Sequence, residues 1–349
     1  VDIPENSTAR ITLPGTEPAV QINTIDYVYD PLYRLTETNY NNGNYYHYEY
    51  DATGNRLMET TQCSSTSYVY DVANRLSSVD EVSYTWDNNG NLLSDGTSTY
   101  SYDYNNKLVG LAQGTDVYQY AYNGLGDRLQ QIVNGVTTDY VLDINTGLTQ
   151  VLQDGTNTYL YGINRIAQST TTETEYFLAD ALGSVRNLTD GNGNITLTQS
   201  YSPFGEVLTS TGDSQTDYAF TGEMFDPGTG LVYLRARYYS VGDGRFVSRD
   251  SWVGDNQIPI SYNSWLYVNS NPINLIDALG LYPTCEGEGC YEPLSDSELL
   301  KLFGVGLLKE WNPENIYALS IAIDMVARKL LEKSGLSDNK YKVFREVYG

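Results

Sequence analysis

A short motif recurs along the first part of this chain: an aromatic residue, an Asp or Asn, a Gly/Asn-rich stretch, then a basic residue and Leu. It reads Tyr29-Asp30…Arg34-Leu35, Tyr50-Asp51…Arg56-Leu57 and Tyr70-Asp71…Arg75-Leu76. It continues as Trp86-Asp87…Leu92-Leu93, Tyr102-Asp103…Lys107-Leu108 and Tyr122-Asn123…Arg128-Leu129. The aromatic positions lie 21, 20, 16, 16 and 20 residues apart. So short a period predicts an array in which each unit buries its apolar face against its neighbours.

Stretches such as Ser67-Tyr68-Val69-Tyr70 and Tyr118-Gln119-Tyr120-Ala121-Tyr122 precede the turns. Alternation puts their aromatics on one face of a strand. The Asp/Asn-Gly stretches that follow supply residues that tolerate positive φ, so each unit reads as strand, turn, strand. The Asp is expected to bond backbone N–H groups of its turn. The Arg beyond it could return a charge-assisted bond to that Asp or to the next turn. Thirty-three Tyr and 31 Gly against one His and three Met fit strands and tight turns.

The net charge of -24 argues against nucleic-acid or anionic-membrane partners. It suits a secreted or cell-surface protein. No apolar run is long enough to span a bilayer, and no signal peptide is evident. The chain opens without Met and within a pattern, which reads as a piece of something longer. Cys63 stands apart; Cys285 and Cys290 could close a small disulfide loop or remain thiols. Two Cys and the distant His47 are too few ligands for a metal, and no cofactor is expected.

Residues 1–20 read as an irregular lead-in, 21–170 as repeats and 171–281 as a related strand-and-turn region with different signatures. A linker over 282–294 leads to a small α-helical segment, 295–349. There Ser295-Asp296-Ser297-Glu298 forms a capping box, and Asn312-Pro313 and Gly335 bound a second helix. This tail shows no nucleophile–base pair. Trp252, Tyr262, Trp265 and Tyr267 could form a sugar-binding platform contacting glycans or a cell surface, or a packed aromatic plug.

The repeats resemble the tyrosine–aspartate repeats of Rhs proteins, a group that includes the shell-forming C components of bacterial ABC toxins and, more remotely, teneurins. The segment 176–281 is similar to the Rhs-associated core, through "YFLADALGSVRNLTDGNG", "YSPFGEV", "FTGEMFDPGTGLVYLRARYYSVGDGRFVSRD" and "WLYVNSNPINLIDALGL". The resemblance implies a mostly β fold: hairpins curling into a hollow shell, closed by the core. The partners it implies are the chain's own C-terminal segment as cargo and further N-terminal repeats. It also implies an aspartyl autoprotease that cuts after the terminal motif. Asp250 and Asp277 then match the paired acids, with Arg249 beside them, and the scissile bond is Leu281–Tyr282. The sequence departs from the family pattern at Ala278 (for Pro), Ser251 (for Pro) and Ser240 (for Asp), and in the longer link Trp252–Ser264, which sets the two acids 27 positions apart.

Two carboxyls at about 3 Å share a proton, so one can activate water while the other protonates the leaving nitrogen. Arg249 could hold one carboxylate ionised or steady the oxyanion. Each acid also has a local alternative: Asp250 capping the turn at Ser251-Trp252, and Asp277 as a turn residue before Gly280. Asp243 reads as a turn residue, and Glu223 and Asp226 call for the same caution. Two rival functions remain: a non-catalytic extracellular or cell-surface YD-repeat protein with an inert core, and a carrier for a toxin whose activity lies in or beyond 282–349.

Overall fold

The computed structural model describes residues 24–145, 148–162, 164–254 and 258–284. The helices expected over 295–349, and the Cys285 and Cys290 pair, lie outside the described residues. Three antiparallel sheets follow in chain order, each with its strands side by side in the order of the sequence. The first has seven strands from Ile25–Tyr29 to Val82–Ser83, the second seven from Thr85–Trp86 to Val136–Asp139, and the third eight from Val141–Asp143 to Val207–Gly212. A fourth, of four short strands, runs from Met224–Asp226 to Arg245–Phe246. The expected β-hairpin array is therefore present, and the third sheet crosses residue 170 without a break.

One local device repeats. The Oδ1 of Asp30, Asp51, Asp71, Asp87 and Asp103, and of Asn123, accepts the amides two and four residues on, at 2.8–3.0 Å. The residue three places on has positive φ in every unit: Tyr33, Gly54, Asn74, Gly90, Asn106, Gly126. Gly90 is needed twice over, since a Cβ there would lie 2.8 Å from the Trp265 ring. Each of the repeat aromatics from Tyr50 on sits at a register shift, and in four of the five the polar hydrogen reaches back to a carbonyl of the preceding unit. Tyr50 donates to Leu35 at 2.7 Å, Tyr70 to Arg56 at 2.9 Å, Trp86 to Leu76 at 2.7 Å and Tyr122 to Leu108 at 2.5 Å. So one side chain closes each turn and the next links it to its neighbour.

The basic-Leu pair splits into two registers. Four residues after the Asp, Arg34 and Arg75 return their Nε to it at 2.6 and 2.7 Å, and their Nη1 reaches the carbonyl of the next turn's Asp. Arg56 and Arg128 stand one residue later, and a one-residue slip turns a strand side chain to the opposite face. They occupy the buried register that Leu35, Leu76 and Leu108 hold elsewhere, while Leu57 and Leu129 are exposed. Leu93, which follows the buried Leu92 in the fourth unit, is exposed likewise.

The first and third sheets face each other across a cavity of about 710 Å³, lined by Tyr27, Tyr40 and Tyr46 on one side and Leu182, Arg186 and Tyr201 on the other. The fourth sheet and its loops pack against the array. Val247 O accepts Leu92 N at 2.9 Å and the Tyr102 hydroxyl at 3.2 Å, in place of a repeat carbonyl. Arg245 bonds Asn55 and Asn74 O, and Arg165 Nη1 bonds Gly222 O at 2.9 Å. Trp265, buried, donates to Gly90 O at 3.0 Å and meets Trp86 edge-on; Tyr267, also buried, stacks on Tyr239. These two belong to the packed plug rather than to an open platform, whereas Tyr262 is exposed.

Replacing Tyr122 by Phe removes only its bond to Leu108 O and the longer one to the Tyr238 hydroxyl. It should lower stability by about 1 kcal/mol, read as a lower denaturant midpoint with unchanged slope. The same change at Tyr104, which is fully exposed, should stay within about 0.5 kcal/mol.

Candidate active site

Strands Leu231–Leu234 and Arg237–Ser240 pair through a two-residue turn, Arg235-Ala236. That turn aims two arginines at the segment around Asp277. Arg237 is buried against the face of Phe246, its guanidinium carbon 3.6 Å from the ring centre. Its Nη2 lies 2.7 Å from Asp250 Oδ2 and 3.6 Å from Asp277 Oδ2. Its Nη1 donates to Ser264 O at 2.9 Å, and its Nε donates to Gly280 O. One guanidinium therefore reaches both acids, which are far apart in sequence.

Each acid reaches Arg237 with one oxygen and caps a turn with the other. Asp250 Oδ1 accepts Trp252 N at 2.8 Å. Asp277 Oδ1 accepts Leu281 N at 2.9 Å and Tyr282 N at 3.2 Å. The local roles expected for these acids and their convergence on one cation hold together. Asp277 touches both amides that flank the carbonyl of Leu281. The long link Trp252–Ser264 does not displace the site, because Ser264 O returns to accept Asp250 N at 2.9 Å as well as Arg237.

The loop carrying the Leu281–Tyr282 bond is closed at its base by mutual backbone bonds between Ile276 and Thr284, of 2.8 and 2.6 Å. Gly280 has φ +68, and a Cβ there would lie 2.4 Å from Leu234 O, so only glycine lets the loop approach the arginine hairpin so closely.

Burial sets the electrostatics. The Asp250 side chain is 8% exposed and that of Asp277 only 2%. Loss of water pushes the Asp250 carboxyl up to about 6, against the pull of Arg237 and of the Trp252 amide. The same loss raises Asp277 to about 7, with Arg237 and the Leu281 amide pulling down and the Asp250 charge pushing further up. Near neutral pH the pair can hold one proton, with Asp250 the more readily ionised.

Arg249 does not supply the cation. Its side chain is exposed and forms no ion pair among the described residues; its backbone N–H bonds Gly90 O at 3.1 Å. Arg237 takes the place expected of it, and the signal was present in the Arg235-Ala236-Arg237 spacing on a tight hairpin. Asp243 does lie in a turn, bonded to Ser240, and also accepts the Tyr84 hydroxyl at 3.0 Å. Glu223 pairs with Arg235 at 2.9 Å, and Asp226 caps the turn at Gly228. No group of three or more metal-ligating side chains occurs among the described residues.

The family model for the teneurin YD-shell matches residues 6–273. The tRNA nuclease WapA of Bacillus subtilis is 31% identical over 268 residues, 72% of this chain and 12% of that protein. Teneurin-3 of Danio rerio is 27% identical over 275 residues, covering 74% of this chain and 10% of its own. The chain thus spans only 10–12% of the length of these relatives. Among solved structures, the crystal structure of TcdB2-TccC3-TEV aligns with 74% of this chain and 15% of its own at a TM-score of 0.59 and 19% identity, a likeness of fold.

Arg237→Met leaves two buried acids without their shared cation and should cost about 3–5 kcal/mol in chemical unfolding. Arg249→Met should change stability by less than about 0.5 kcal/mol.

Proposed function

Since the chain belongs to the YD-shell family, we propose that it forms the closing part of a shell that encloses its own C-terminal segment and severs it after Leu281. The observation that carries the reading is the contact of Asp277 with the Leu281 and Tyr282 amides while Arg237 holds Asp250 alongside. Asp250, ionised, takes a proton from a water that attacks the Leu281 carbonyl carbon. Arg237 supplies positive charge beside the developing oxyanion. Asp277, protonated, gives its proton to the Tyr282 nitrogen as the C–N bond breaks. The products are a Leu281 carboxylic acid and a Tyr282 amine, and the water supplies the atoms gained. The substrate is part of the same chain, so one turnover completes the reaction and the effective concentration is high.

On this reading the protein works outside the cytoplasm, secreted or at a cell surface, with further repeats preceding those present. No helix among the described residues is long and apolar enough to cross a membrane. The family match ends at 273, ahead of the bond to be cut, so the nuclease activity named for the WapA proteins is not carried over to residues 282–349. The carrier of a toxin in or beyond that region remains the wider setting of the proposal. A second reading, an inert shell used for structure or adhesion, is favoured by the turn-capping bonds that both acids make.

Mass measurement under denaturing conditions separates the two. Cleavage predicts fragments of residues 1–281 and 282–349, absent in Asp250→Asn and in Asp277→Asn. Asp250 must be ionised and Asp277 protonated, so the rate should peak between about pH 6 and pH 7. It should fall below as Asp250 takes up its proton and above as Asp277 loses its own. A wild-type chain that stays whole at every pH supports the inert shell.

A further inference from the structure

Three consecutive carbonyls just before the bond to be cut are each held by one of three consecutive residues. Arg235 Nη1 donates to Ala278 O, Ala236 N to Leu279 O at 3.1 Å, and Arg237 Nε to Gly280 O. Arg237 has its part in the acid pair. Arg235 touches neither acid, yet its side chain is anchored at further points. Its Nη1 also meets Glu223 Oε1 at 2.9 Å, and its Nε and Nη2 both lie 3.4 Å from Thr149 O. Its own carbonyl accepts Lys107 Nζ at 3.1 Å, from a repeat turn.

The backbone sets this residue apart as well. Arg235 has φ +58 at the first central position of a two-residue hairpin, where glycine is the favoured residue. An arginine there bears a backbone cost that its side-chain bonds must offset. Its guanidinium is largely buried and joins the Ala278 carbonyl to two further acceptors, Glu223 and Thr149 O, through a rigid fork that a lysine ammonium does not reproduce.

We propose that Arg235 is a positioning residue: it clamps the Asp277–Gly280 turn in the register that lays the Leu281 and Tyr282 amides on Asp277, and so selects which peptide bond is cut. The selection of a bond rests on the cleavage reading above; the clamp itself does not. Through Thr149 and Lys107 the clamp is also tied to the repeats, so the bond is presented only when the array has closed on the hairpin.

The test uses the whole chain. Arg235→Gly relaxes the positive φ while deleting the clamp, so the hairpin should persist. In an Asp250→Asn background, amide exchange at Leu281 and Tyr282 should speed up by about 10-fold or more on Arg235→Gly, with the amides of Val232 and Tyr239 as protected as before. With both acids present, the cut should slow by at least about 10-fold and spread to bonds beside Leu281–Tyr282, while its pH profile keeps its shape. Arg235→Lys should restore a single cut at a reduced rate. Unchanged exchange at Leu281 and Tyr282 overturns the clamp whether or not the wild-type chain is cut. Faster exchange with an uncut wild-type chain upholds the clamp and removes the protease. Should Arg235→Gly fail to fold, Glu223→Gln, which weakens the anchor of Arg235, must raise exchange at the same two amides; unchanged exchange there overturns the proposal equally.

Discussion

Buried and half-buried guanidinium groups fasten the closing segment to the hairpin array, and the rest of the structure depends on them. Arg56 reaches Gly242 O, Arg128 the Tyr238 hydroxyl, Arg165 Gly222 O and Arg245 the turns at Asn55 and Asn74. Stripping water from an arginine is costly unless its charge is met. Here acids meet only part of it. Arg56 has Glu59, whereas Arg128 lies over the rings of Tyr120, Tyr140 and Tyr233, and Arg165 over those of Tyr159 and Tyr218. The abundance of tyrosine then has a second purpose: the ring faces accept the charge and the hydroxyls accept hydrogen bonds.

Arg237 extends the same logic to chemistry. Burial favours the neutral form of both acids, and a single cation set between them opposes that preference unequally. Asp250, in direct hydrogen-bonded contact, feels it more; Asp277, at 3.6 Å and more deeply buried, feels it less. Two like residues acquire unequal proton affinities from placement alone. Their turn-capping bonds fix the direction of each carboxylate, so the local and the long-range roles support each other.

Much of this was legible in the residues. The aromatic-Asp motif gave the hairpins, and the Asp-capped turn followed from the short acid beside glycine and asparagine. Asp250 and Asp277 were reached only through family resemblance, because nothing local distinguishes them from other turn acids. The slip between Arg34 and Arg56 was hidden: both precede Leu, and only the count of residues back to the Asp decides which face each takes. Arg249 was chosen for its adjacency to Asp250. Arg249 is exposed, however, while the Asp250 side chain turns inward, and the cation came from Arg237, brought in by a hairpin whose contact with Gly280 spans 43 residues of chain.

The central claim is that two acids share one buried cation at the Leu281–Tyr282 peptide, and it is tested most directly by carbon-13 titration of the Asp250 and Asp277 carboxyls in the folded chain, assigned by single Asp→Asn changes. Both should titrate well above the ordinary value of 3.8, near 6 and 7, and each should shift when the other is replaced. Two independent titrations close to 3.8 would contradict it.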